Sequence, residues 1–445
     1  MSDDVAARSQ ALREAPTELR RELFLVSAGL LITSLGQPVA IGALPFRFLF
    51  KNEFHLDASE QANFFAIATF AWYVKPVVGL LCDSFPILGT RRRSYLLFSS
   101  AAAAAIWALF AVAPRTYAAF FALMVALNCA IVFASTAIGG VLVEVGQRGR
   151  ATGRLASARY AIDGVVAIIS GPLGGWLAAR AFGWTAGIGA MLLSSLLLST
   201  IVLLHEPADP QRDHRVWGRA ATQLRTIVRS KTMWAATALL LLVYVAPGFG
   251  MALNYYQQDV LHFSTVFIGQ LQAMSGLAGI AASLLYARVC RRLPLMRLLV
   301  AGIVLNALSS LLYVAYRTPA SAMLIDTANG FLAVLGILPL FDLAARATPK
   351  GSEGFGYALL MGVYNIAVFG FSNPVGAALY EWQNPAWHHN LTRLVWLNTL
   401  TSLIALVLLP LVPRAPLAYR EGTHFEDILA GGGRASLAPR AGDRP

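Results

Sequence analysis

Apolar residues along this chain come in runs of roughly twenty, separated by short polar and basic connections, and a run of about 18 or more can cross the hydrocarbon of a bilayer as one α-helix. Such runs lie at residues 23–49, 60–82, 94–113, 117–144, 152–179, 184–204, 233–257, 265–287, 296–316, 319–345, 354–380 and 391–412. The pattern predicts an all-α integral membrane protein of twelve transmembrane helices. Residues 1–22 form a polar N-terminal segment, and the longest internal connection, 205–231, divides the helices into two six-helix halves, 23–204 and 232–413. Within that connection Trp217, Leu224 and Ile227 interleave with Arg219, Arg225 and Arg229, the pattern of an amphipathic helix lying on the inner leaflet. The tail, 414–445, ends in a Gly-, Ala-, Arg- and Pro-rich stretch and is expected to be disordered.

Composition removes competing classes. Of 445 residues, 57% are hydrophobic and 13% charged, where soluble proteins carry about 25% charged residues. Twelve helices leave no room for a separate catalytic domain. Cys82, Cys129 and Cys290 are far apart, form no CxxC pair, and read as packing residues. The net charge of +12 comes with no zinc-ligand spacing and no aromatic-basic RNA motif, so nucleic acid is not a partner. Its distribution is informative instead. Arg8 to Arg21, Arg91 to Arg93, Arg148 to Arg154, the connection from Arg212 to Lys231, Arg288 to Arg297, Arg346, Lys350 and the tail fall on one side of the twelve-helix layout; Arg47, Lys51, Arg115, Arg180, Arg317 and Arg393 fall on the other. Basic residues concentrate on the cytoplasmic side, so both termini are expected there, in a multi-pass protein of the cell's inner membrane. The N-terminal segment contains Asp3 and Asp4 and no basic n-region, so a signal peptide is not expected.

Between the second and third helices stands Gly79-Leu80-Leu81-Cys82-Asp83, followed by Arg91, Arg92 and Arg93. Together with two six-helix halves and a basic central loop, this Gly-x-x-x-Asp and basic cluster resembles the major facilitator superfamily, whose halves rock about a midplane site. Gly79 is expected to let helices approach closely, and Asp83 to accept from the N-terminus of a facing helix, the eleventh, which opens near Glu353. Glu144 at the inner mouth of the fourth helix, and Asp342 with Arg346 four residues apart on the tenth, complete an expected cytoplasmic gate. The flanks narrow the resemblance. Trp72, Lys75, Pro76, Gly79, Asp83, Pro86, Gly89, Arg91 and Arg92 keep the spacing W-x-x-K-P-x-x-G-x-x-x-D-x-x-P-x-x-G-x-R-R of the folate-biopterin transporter family, and Pro349 to Met361 followed by Asn365 and Gly376 is similar to that family's entry into its eleventh helix. The resemblance implies a carrier of pterin-like or folate-like compounds. Where it implies two acids four apart on the fourth helix, this chain has Ser135 and Gly139.

Ions inside the apolar runs are functional candidates because each is costly to bury. Lys75 lies about 12 Å of helix rise inside Asp83, and Lys75 with Arg159 predicts a positive cavity for an anionic group. Replacing Lys75 with Ala is expected to abolish uptake and leave insertion intact. Arg159 and Asp163 share a face of the fifth helix and can pair. Asp326, on the tenth helix, is expected either to carry a coupling proton, with Asp163 as the other candidate, or to bond helix neighbours such as Asn329. All seven histidines fall in loops or at helix ends, leaving proton coupling to carboxylates. Gln37, Asn128 and Asn365 are the favoured neutral substrate contacts; Arg47, Tyr244, Asn254, Tyr255, Tyr364 and Asn373 have cavity potential too. Pro38 and Pro45 in the first helix, and Pro247 beside Gly248 and Gly250 in the seventh, are expected to break corresponding helices of the two halves.

The reading that follows is a secondary carrier, monomeric, without cofactor or metal, for a small organic anion by rocker-switch alternating access and coupled to protons. A muropeptide- or sugar-type permease, or a non-transporting assembly factor of the same fold, are the alternatives. No Walker sequence is present to drive pumping, and no clustered His, Cys or carboxylate constellation points to an enzyme.

Overall fold

Hydrocarbon offers no water to a backbone amide, so a chain of this composition crosses a membrane only where helices satisfy their own amides. The computed structural model describes residues 27–85, 87–90, 92–149, 152–204, 216–290, 292–347, 353–385 and 387–411. Among these, the regular structure is helical apart from one isolated bridge between Ile87 and Thr90. Eight helices are long and apolar enough to cross a membrane: Arg93–Val112, Tyr117–Gly139, Tyr160–Ala178, Phe182–Val202, Thr265–Val289, Leu295–Ala315, Pro319–Ala344 and Ala358–Glu381. They fall on the third to sixth and eighth to eleventh segments of the hydropathy pattern. The other four segments are shorter or interrupted: 27–35 with Ala43–Asn52 for the first, Ala58–Ala68, Phe70–Tyr73 and Lys75–Ser84 for the second, Lys231–Tyr244 and Gly250–Tyr255 for the seventh, and Leu391–Leu403 for the twelfth. The connection helix is Val216–Arg229, with Ile227 buried and Leu224, Arg225, Val228 and Arg229 exposed. The N-terminal 22 residues and the tail lie outside the described residues.

The breaks near Pro38 and Pro247 are present, and their backbone groups are bonded by neighbouring segments. The Trp107 indole of the third segment donates to the Gly36 carbonyl at 2.9 Å. In the seventh segment, the Asn398 side chain donates to the Pro247 carbonyl at 2.9 Å, and the Gly248 amide to the Ser372 carbonyl at 2.8 Å. Pro45 makes no break. It sits in the first turn of Ala43–Asn52, where an amide has no intrahelical partner to lose.

The fifth segment, Thr152–Ala178, and the eighth, Thr265–Val289, pack backbone against backbone. A Cβ on Gly171 would lie 2.4 Å from the Gly269 carbonyl oxygen, and one on Gly175 would lie 2.5 Å from that of Thr265. No side chain fits at either place. Gly79 differs from its expectation: among the described residues a Cβ there would meet only the Thr136 methyl at an ordinary 3.7 Å, so no close approach to a described helix accounts for that glycine. A close seam runs between the fifth and eighth segments, where Gly164 and Gly171, and Gly269 and Gly276, each stand seven residues apart.

Candidate functional site

Helical spacing brings five segments around one cavity of about 380 Å³. On the first segment Val39, Ala40 and Ala43 are small enough to leave space, and Arg47, four residues beyond Ala43, reaches the same face. The opposite face of that helix is anchored: Phe46 packs against the rings of Phe50, Trp107, Phe110, Phe120 and Phe182. On the fifth segment Asp163, Val166, Ala167 and Ser170 follow the same i, i+3, i+4, i+7 rule, as do Ile268, Leu271, Gln272 and Ser275 on the eighth. Leu253, Asn254 and Gln257 of the seventh and Asp326 of the tenth complete the wall. The cavity therefore draws on segments from both sides of the 205–231 connection. Its charged lining is Arg47, Asp163 and Asp326. Among the described residues no carboxylate lies within ion-pairing distance of the Arg47 guanidinium.

Asp326 is buried, 9% exposed. Its partners are not on its own helix, as Asn329 would have been. One carboxylate oxygen accepts the Tyr313 hydroxyl at 2.5 Å, the other the Tyr316 hydroxyl at 2.7 Å, and Gln257 donates to the Tyr316 oxygen at 2.6 Å. Asn254 donates to the Gly250 carbonyl at 2.9 Å, and its own oxygen is buried with no partner among the described residues.

The other expected substrate contacts gather elsewhere, around Trp72. Lys75 is 9% exposed; its ammonium lies 5.0 Å from the centre of the Trp72 ring and donates to the Ser135 hydroxyl at 3.1 Å. The Trp-x-x-Lys spacing explains the stacking, since residues three apart share a helix face. The Trp72 indole donates to the Asn128 side-chain oxygen at 2.9 Å, and Asn128 donates in turn to the Met124 carbonyl at 2.9 Å. Asn365, on the eleventh segment, donates to the Trp72 carbonyl at 3.3 Å. Three dispersed candidates, Lys75, Asn128 and Asn365, thus meet at one residue, and none of them lines the cavity. Gln37 is half-buried in the break of the first segment. Of the gate candidates, Asp342 is fully buried and accepts the Tyr286 hydroxyl at 3.3 Å, and Arg92 and Arg93 are half-buried at the start of the third segment. Arg91, and the side chains of Asp83, Glu144, Arg159, Arg346 and Glu353, lie outside the described residues.

At the end of the bundle that the charge pattern assigns outside, the two sets of segments are tied together. Lys51 pairs with Asp259 and lies 4.8 Å from the centre of the Tyr255 ring. The Tyr255 hydroxyl donates to the Leu56 carbonyl and accepts from Gln61 at 2.6 Å, and the Ala58 amide donates to Glu381 at 3.4 Å.

Arg47 carries a signal that residue counting missed. It stands near the end of an apolar run and counts with the outer basic residues, yet its four-residue offset from Ala43 turns it into the cavity. Gln257, Gln272, Ser170 and Ser275 stand out only once the helix faces are known.

The BT1 family model matches residues 39–425 of the chain. This chain belongs to the BT1 family. Over 394 residues the BT1 chain is 29% identical to the "Folate-biopterin transporter" of Synechocystis sp., covering 82% of this chain and 77% of that protein. It is 21% identical over 393 residues to "Probable folate-biopterin transporter 4" of Arabidopsis thaliana, covering 71% and 80%. Among solved structures it is similar to a D-xylose-proton symporter, with a TM-score of 0.65, 14% identity, and coverage of 88% of this chain and 97% of that one. It is also similar to the human organic anion transporter MFSD10, with a TM-score of 0.62, 17% identity, and coverage of 89% and 99%. At these identities the likeness is one of fold, the major facilitator fold. This BT1 chain is a multi-pass membrane protein and a secondary transporter of a small molecule.

Proposed function

We propose that the protein carries a pterin-like or folate-like organic anion through the cavity described above by rocker-switch alternating access. The observation that carries this reading is the cavity lining: a half-buried arginine and two carboxylates contributed by segments from both sides of the central connection. A site built from both halves changes access when residues 23–204 rock against 232–413. Arg47 supplies the charge that attracts an anion, and Asp163 and Asp326 are the carboxylates available for a coupled proton. The relatives named for folate and biopterin support the substrate class. The cavity volume suits a flat heterocycle, within the roughly 300–1,000 Å³ usual for small-molecule sites. On the inner side, Gly79, Asp83, Arg91 to Arg93, Glu144, Asp342, Arg346 and Glu353 close the path when the cavity faces out. Lys75, Asn128 and Asn365 hold the bent second segment against the fourth and eleventh, and Gln37 sits at the bend of the first. The working arrangement is a monomer of twelve crossings in the inner membrane, with both termini in the cytoplasm.

Purified protein in proteoliposomes tests this directly. Folic acid and biopterin are expected to raise its thermal unfolding midpoint while simple sugars and short peptides do not, and radiolabelled folic acid is expected to accumulate faster with an inward proton gradient than without one. No stabilisation by any pterin or folate overturns the substrate class; uptake indifferent to the gradient overturns proton coupling alone.

A further inference from the structure

Asp326 offers the cavity more than a negative charge. Each oxygen of a carboxylate has two lone-pair positions, so the group can receive four donors. The Tyr313 and Tyr316 hydroxyls occupy one position on each oxygen, and Gln257, by donating to Tyr316, leaves that hydroxyl's proton directed at Asp326. One acceptor position remains on each oxygen of a carboxylate that lines the cavity and is held by two neighbours. The two oxygens of one carboxylate can together accept a planar pair of N–H donors, the arrangement that makes bidentate contacts strong and directional. Arg47, on the first segment in the same cavity, offers the reverse: a planar fork of donors that matches a free carboxylate.

We infer that the cavity recognises its solute at two ends of opposite polarity, with Asp326 taking adjacent ring N–H and amino donors of a 2-aminopyrimidinone-type heterocycle and Arg47 taking a carboxylate on the same molecule. This rests on the reading of the cavity as the transport site. It makes the preferred solute one that carries both groups, and it disfavours sugars, which lack the charge, and simple dicarboxylates, which lack the donor edge and face Asp326 and Asp163 with like charge.

Competition against tritiated folic acid on the purified full-length protein tests the two ends separately. The competitors are folic acid, a folic acid analogue whose ring 2-amino group is replaced by methyl, and biopterin, which keeps the heterocycle edge and has no carboxylate. The wild-type protein is expected to favour folic acid over each of the other two by at least about 10-fold, the worth of one charged hydrogen-bonding group. In Asp326→Asn the preference over the 2-methyl analogue falls to within about 2-fold while the preference over biopterin stays; in Arg47→Gln the pattern reverses. Equal loss for all three compounds in Asp326→Asn marks a packing role and overturns the inference. The wild-type preferences are a test that no misfolded variant can obscure: folic acid and its 2-methyl analogue binding equally well also overturns it, with the transport reading left standing. A wild-type protein that binds neither folic acid nor biopterin removes the substrate class and this inference together.

Discussion

Two cations stand within the apolar segments described here, Lys75 buried and Arg47 half-buried, and their surroundings differ in kind. Lys75 has the Trp72 ring beneath it and the Ser135 hydroxyl before it, and Trp72 is itself held by Asn128 and Asn365. Arg47 faces a cavity across which stand Asp163 and Asp326, neither close enough to pair with it. A buried charge is costly wherever it lies, but only a charge presented to open space can exchange that cost for a ligand. Lys75 bridges the second and fourth segments through Ser135, whereas Arg47 lines open space. The difference follows from neighbours. Trp72 lies three residues before Lys75 and supplies a cation-binding face, while Ala43 lies four residues before Arg47 and supplies room.

The largest expected effect that could break this contrast is at Arg47. Arg47→Gln is expected to lower uptake kcat/KM by about 100-fold, with membrane content unchanged on an immunoblot; initial uptake rates near wild type would remove Arg47 from the site. Lys75→Ala is expected to lower maximal uptake by about 10-fold through the loosened second segment, with apparent KM within about 2-fold. A large rise in KM instead would place Lys75 against the solute and collapse the distinction. Asn128→Ala strips the Trp72 indole of its acceptor and is expected to cost about 1–2 kcal/mol, read as a lower unfolding midpoint in detergent with transport constants little changed. Lys51→Ala, at the far end from the inner gate, removes a pair whose side chains are 18% and 54% exposed, and such pairs contribute about 0.2–1 kcal/mol. Uptake should shift by less than about 5-fold, and 0.5 M salt, which shortens the Debye length to about 4 Å, should reproduce much of the shift in the wild type.

Segment placement was readable because burial in a membrane imposes length and apolarity at once: all eight long apolar helices fall on predicted runs. The breaks at Pro38 and Pro247 were readable for a similar local reason, a residue that cannot donate. The Trp72 to Arg92 signature led to the right family through its spacing. Side-chain destinations were not readable. For Asp326 the residues alone leave open a coupling proton or a bond to a helix neighbour such as Asn329, and its partners are Tyr313 and Tyr316, thirteen and ten residues earlier across a turn. The spacing places a close helix approach at Gly79, whereas among the described residues such approaches lie at other glycines, Gly171 and Gly269 among them.

What the sequence determined alone is local and one-dimensional: which stretches enter the membrane, where helices must bend, and which spacing marks the family. Hydrophobic length and proline chemistry act within a few residues, so they survive without a fold. Which cation meets a partner and which meets a cavity was decided by helix rotation and by contacts between segments as far apart as the first and the tenth. Those depend on packing across the whole bundle, and Arg47, counted at first among the outer charges, acquired its place in the cavity only there.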